Sequence, residues 1–167
     1  MAAAAAIDEF YRSVATVSFT LMGLWWVVVN ARYKEGEGDI RRRRHAYGIV
    51  LFFLLPGLMS LISSIDSELT TLWRVAFGIC GAAGILEVVL FLQAGGTPTA
   101  QAMALRVAGL VVYVLIVAFA IRPELADDLS LGLDPREAEA VLLGLLLLVG
   151  ANLAWLGLIE PSETAGA

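Results

Sequence analysis

Five long apolar runs constrain this chain more than any other feature of its sequence. Each run is close in length to the roughly 20 apolar residues that an α-helix needs to cross the hydrocarbon core of a bilayer. The runs cover approximately residues 10–30, 46–64, 69–92, 100–121 and 138–159. The composition agrees with this, because 59% of the residues are hydrophobic and 16% are charged. In soluble domains about 45–50% of the residues are apolar and about 25% are charged. We therefore predict a single all-α domain over residues 1–167, a polytopic integral membrane bundle of about five transmembrane helices.

Capping signals predict where the last two helices begin. Thr97 is suited to the N-cap of the fourth helix, with Pro98 at its first helical position. Asp134 is suited to the N-cap of the fifth helix, because Pro135 follows with a preset backbone dihedral and Glu137 occupies the capping-box position.

A proline–glycine pair inside the second run predicts a kink. Pro56 removes one backbone hydrogen bond from a helix and clashes with the preceding turn, and Gly57 follows it directly. We expect a hinge at these two residues, which would supply a gate for a channel or for a carrier.

Basic residues are concentrated in the connection between the first two runs. They are Arg32, Lys34, Arg41, Arg42, Arg43 and Arg44, whereas the connection between the second and third runs has neither lysine nor arginine. Because positively charged loops stay in the cytoplasm, we predict that the N-terminus is outside and the C-terminus cytoplasmic. Short loops without an N-x-S/T acceptor site agree with a multi-pass protein of the plasma (cell inner) membrane.

The four consecutive arginines precede the second run directly and have two interpretations. Arg41, Arg42, Arg43 and Arg44 are expected to attract anionic lipid headgroups, each by about 1 kcal/mol near a membrane surface. The simpler interpretation is that they only fix the orientation of the chain. A voltage sensor is excluded, since its arginines would recur at every third position within a span.

Small and polar residues form one stripe along the first predicted helix. They recur at spacings of three and four, which places them on one side of a helix. The stripe contains Glu9, Ser13, Thr16, Thr20, Gly23, Val27, Asn30 and Lys34. We expect this side to face away from lipid. Two interpretations stay open: a seam for packing against another helix, or the wall of a pore whose hydroxyls replace part of an ion's hydration shell.

Opposite charges lie inside the third and fourth runs at a similar depth. A short turn joins these helices, so Glu87 and Arg106 lie on antiparallel neighbours. An isolated charge at that depth is costly, and we therefore expect an ion pair. Alternatively, Glu87 binds a cation or a proton and Arg106 tunes it. Arg74 is expected to extend to the membrane surface or to meet an acid such as Asp8 or Glu9.

The sequence carries no recognised signature of catalysis. It has no G-x-S-x-G, H-E-x-x-H, C-x-x-C or phosphate-binding glycine loop. With one histidine and one cysteine, His45 and Cys80, the chain has no histidine- or cysteine-based metal site of its own. We expect no enzymatic activity, no cofactor and no nucleic-acid partner.

The function predicted from these features is membrane transport. Five helices barely enclose a pathway, so we predict a subunit of a homo-oligomeric ion channel or transporter, with the first or second helix lining the shared axis. The expected partners are the lipid bilayer, further copies of the chain and an inorganic ion. Two alternatives stay open: an accessory or assembly subunit of a larger membrane complex, and a carrier in which Glu87 alternates between the two sides.

Overall fold

The computed structural model of the protein describes residues 2–33, 40–65, 70–93, 99–125, 132 and 134–159. Within these ranges the chain forms five α-helices. They are α1 (Ala2–Tyr33), α2 (Ile40–Ser63), α3 (Thr70–Gln93), α4 (Ala100–Ile121) and α5 (Pro135–Ile159). All five are long and apolar enough to cross a membrane. The predicted set of five long apolar helices is confirmed, and the orientation in the membrane stays a prediction.

Two helices begin well before the apolar runs that revealed them. The first run starts at about residue 10, but α1 already begins at Ala2. The second run starts at Ala46, whereas α2 begins at Ile40 and therefore includes all four arginines. Hydropathy locates the apolar middle of a helix, and charged turns at its end continue the same backbone hydrogen bonding.

The capping prediction is confirmed for α5 and corrected for α4. The backbone N–H of Asp134 donates to Oε2 of Glu137 at 3.1 Å, which is the hydrogen bond expected of the acid in a capping box. The N-cap of α4 is Thr99 rather than Thr97, since Oγ1 of Thr99 accepts from the N–H of Ala102 at 3.3 Å. Thr97 lies outside the described residues, as does Pro98.

The helices form a ring in which each packs against the next in the chain and α5 packs against α1. α2 also packs against α5, so it is contacted by three helices. In the most apolar segment of α2, 67% of the residues are buried, compared with 22–39% in the corresponding segments of the other four helices. α2 is thus the central helix, and its Phe53, Met59 and Ile49 are almost fully buried in the core.

The proline–glycine pair lies in the packed part of α2. The helix continues through Pro56 to Ser63, and both Pro56 and Gly57 are buried. A methyl group on Gly57 would lie 3.0 Å from Cβ of Ser18 and 3.2 Å from Cζ of Phe19. Gly57 therefore brings α2 close to α1. The hinge itself stays a prediction.

Candidate functional site: a polar stripe and two buried charge clusters

The polar stripe of α1 lies on the outer surface of the bundle. Its described members are all exposed on the outward side of the helix, and they are Glu9, Ser13, Thr16, Thr20, Gly23, Val27 and Asn30. The buried face of α1 instead contains Tyr11, Val14, Ala15, Ser18 and Trp25. α1 therefore packs within its own chain mainly through other residues, and the stripe is left to meet lipid, water or another chain.

The hydroxyl groups of the stripe donate to the backbone of their own helix. Ser13 Oγ donates to the carbonyl of Glu9 at 2.9 Å, and Thr16 Oγ1 to the carbonyl of Arg12 at 2.9 Å. Thr20 Oγ1 donates to the carbonyl of Thr16 at 2.8 Å. Each hydroxyl proton is thus satisfied within α1, while the hydroxyl oxygen keeps acceptor capacity toward the outside.

Arg106 is the centre of a cluster near the C-terminal end of α3. Its side chain is almost fully buried, and its guanidinium carbon lies 3.4 Å from the ring centroid of Phe91. Nη2 of Arg106 is 3.5 Å from Nδ1 of His45, whose ring packs edge-on against Phe91 with centroids 5.6 Å apart. The guanidinium thus joins α4 to α3 and α2 through a cation–π contact and a histidine.

Glu87 lies half-buried on α3, against α2. Its Oε1 is buried and has no hydrogen-bond partner among the described residues. A methyl group on Gly48 would lie 3.2 Å from that oxygen, so the carboxyl group fits against the bare backbone of α2. The hydroxyl of Tyr113 is also buried without a partner in the described chain. The direct ion pair between Glu87 and Arg106 stays a prediction.

A second polar cluster, around Arg136, lies at the end of the bundle where α5 begins. Nη2 of Arg136 is 3.1 Å from Oδ1 of Asp8 and 3.4 Å from the carbonyl oxygen of Ser63. The hydroxyl of Tyr11 donates to the carbonyl of Arg136 at 2.8 Å. These contacts fasten the start of α5 to α1 and to the end of α2.

Arg74 joins α3 to α4 at the same end. Its Nε donates to the carbonyl of Ala120 at 2.7 Å, and its Nη2 to the carbonyl of Ile121 at 2.7 Å. The sequence predicted that Arg74 extends to the membrane surface or meets an acid such as Asp8 or Glu9, whereas two of its donors bind the last carbonyls of α4. A helix C-terminus presents unpaired carbonyls with partial negative charge, so it substitutes for a carboxylate.

Glu139 is the site residue that sequence reasoning missed. It is 0% exposed, and neither carboxyl oxygen has a hydrogen-bond partner in the described part of the chain. The nearby cations Arg136 and Arg74 act on it electrostatically. Glu139 follows Arg136 by three positions, on the same side of α5. It lies two residues after Glu137, near the start of the predicted fifth span, and no local sequence pattern shows that this turn is buried.

The chain matches no protein-family model, no curated protein and no solved structure. Any function must therefore be argued from its own geometry.

Proposed function

We propose that the protein is a subunit of a homo-oligomeric ion channel or transporter in which copies of the chain face one another through the polar stripe of α1. One observation carries this proposal: the stripe lies on the outward side of α1, away from its packed face. Lipid tails provide no partner for a hydroxyl oxygen or an exposed amide, whereas a neighbouring helix or a water-filled pathway does.

The packing of the single bundle favours a pathway between copies over one through a single copy. α2 occupies the centre, and its large side chains Phe52, Phe53 and Met59 are buried. α1 has room on its outer face, because nothing lies within 4 Å of a methyl group placed on Gly23. Small and hydroxyl-bearing residues on this face allow close approach of α1 helices or replacement of an ion's hydration shell.

The cellular setting belongs to the same proposal. The chain is proposed to be a multi-pass protein of the plasma membrane, with the start of α1 outside. Arg43 and Arg44 are exposed on the first turns of α2, which supports contact with anionic lipid headgroups on the cytoplasmic side. The side chains of Arg41 and Arg42 lie outside the described residues.

Cysteine accessibility tests the pathway. Thr16→Cys and Thr20→Cys place a thiol on the stripe, while Val17→Cys and Trp26→Cys place one on its two flanks. Val17 and Trp26 are 48% and 47% exposed in the single chain, so they are matched controls for an outward position. We expect a water-soluble thiol reagent to label the stripe positions in native membranes and to leave the flanks unlabelled. Equal protection of all four positions would contradict a pathway along α1.

Native mass spectrometry of gently extracted protein tests the assembly. A closed homo-oligomer of three or more copies is the expected result. Recovery of the chain bound to unrelated polypeptides would overturn the proposal and favour the accessory-subunit alternative. In that case the stripe of α1 would be the face that meets the partner.

A further inference from the structure

The geometry points to a buried proton-binding site centred on the carboxyl group of Glu139, where the start of α5 packs against α1 and α2. The site is independent of the polar stripe, which lies on the outward side of α1.

The carboxyl group of Glu139 is removed from water. The side chain is 0% exposed, and both of its oxygens lack a hydrogen-bond partner among the described residues. A carboxylate removed from water without hydrogen bonds is very costly, whereas a neutral carboxylic acid is far less so. Uptake of one proton by one carboxyl oxygen removes the charge without any other change in the site.

The charged groups around Glu139 form hydrogen bonds or ion pairs with partners other than its carboxyl group. On α5, Arg136 binds Asp8 of α1 at 3.1 Å. On α3, Arg74 donates to the carbonyls that end α4. From α1, the hydroxyl of Tyr11 donates to a backbone carbonyl. At this end of the bundle, the described part of α2 presents the neutral side chain of Ser63. The described part of α4 presents backbone carbonyls.

The number of oxygen ligands decides which ligand the site takes. A metal ion needs several ligands in one place, and the described residues contain no group of three or more histidine, cysteine or acidic side chains that could hold one. A proton needs a single oxygen and leaves the carboxyl group neutral. Arg136, three positions before Glu139 on α5, forms with Asp8 an ion pair whose side chains are 20% and 29% exposed. The site therefore binds a proton rather than an alkali or divalent cation.

Infrared difference spectroscopy of the full chain in lipid vesicles tests the site. A neutral carboxylic acid has a C=O stretching band that a carboxylate lacks. We expect the wild type to show this band at neutral pH and to lose it on alkaline titration. Glu139→Gln should remove the band, since the amide has nearly the shape of the neutral acid. Glu137→Gln, two residues away at the capping position, is the matched control and should retain it.

A third variant, Glu87→Gln, separates the two buried carboxyl groups and should leave the Glu139 band in place. If Glu139→Gln does not accumulate in membranes, Glu139→Asp keeps an acid on the same helix face and should shift the band. A band that is unchanged in both Glu139 variants would overturn the proposal, as would its absence from the wild type at neutral pH.

Discussion

Gly84 of α3 faces the aromatic ring of Tyr113 on α4 so closely that there is no room for a side chain. A methyl group at this position would lie 2.5 Å from Cζ of the ring, and Tyr113 is itself almost fully buried. We expect Gly84→Ala to lower the free energy of unfolding by about 1–3 kcal/mol, the usual cost of overpacking a core. Thermal unfolding in detergent micelles measures the change.

Gly78 provides the matched control on the same helix. Nothing lies within 4 Å of a methyl group placed there. Alanine is the better helix former, so Gly78→Ala should leave stability unchanged or raise it by up to about 1 kcal/mol. Equal losses in the two variants would show that the contact with Tyr113 is not the cause.

Single buried charges were only partly predictable from the sequence. Glu87 stands inside an apolar run, about five residues before its end, so its cost in a membrane is visible from its position alone. Glu139 is also buried, but it follows a helix-start motif. The sequence alone does not show how deeply the start of α5 is buried in the bundle. Its depth depends on the packing of α1 and α2 around the start of α5, which no local pattern records.

At the scale of elements, Arg74 fastens one helix to the end of another. Its two donors bind the carbonyls of Ala120 and Ile121, a geometry that suits the planar guanidinium. A lysine ammonium at the end of a flexible stem does not reproduce this pair of bonds. We expect Arg74→Lys to cost about 1–2 kcal/mol. It should also speed amide hydrogen exchange in the last turn of α4, measured by mass spectrometry.

Arg12 is the matched control because it is exposed on α1. Arg12→Lys should leave both stability and the exchange of α4 unchanged. Unchanged exchange in the Arg74 variant would mean that the end of α4 is held by other contacts.

The helices themselves were largely predictable from the sequence, but the side of each helix that packs against the others was not. Length and apolarity located all five, and the capping box of Asp134 and Glu137 fixed the start of α5. The stripe of α1 was expected to face away from lipid, yet within one chain it faces outward. The packed face uses Ser18 and Trp25, which lie among the mostly large apolar residues between the members of the stripe.

At the scale of the whole molecule, the charge pattern makes the orientation testable. The connection between α1 and α2 holds basic residues such as Lys34, whereas that between α4 and α5 holds Asp127 and Asp128. By the positive-inside rule, a reporter enzyme that is active only in the cytoplasm should be active when fused after residue 36 and inactive when fused after residue 129. The reverse pattern in the two fusions would show that the N-terminus is cytoplasmic.

The central position of α2 could not be derived from the sequence. Lipid tails and a protein core accept the same side chains, so Phe53 in the core and Leu148 on the surface are both strongly apolar. Hydropathy therefore finds spans but does not distinguish the inner helix from the outer ones. The ring order depends on close contacts such as that between Gly57 and Ser18, which appear only once the helices are packed.

That central helix also has a consequence for biogenesis. A chain is synthesised from its N-terminus, so α2 is complete before α3 and α5, two of the three helices that cover it. The buried face of α2, which includes the hydroxyl residues Ser60 and Ser63, is therefore covered completely only after α5 has been made. We expect a chain that stops before α5 to expose part of this face and to be degraded faster than the full chain.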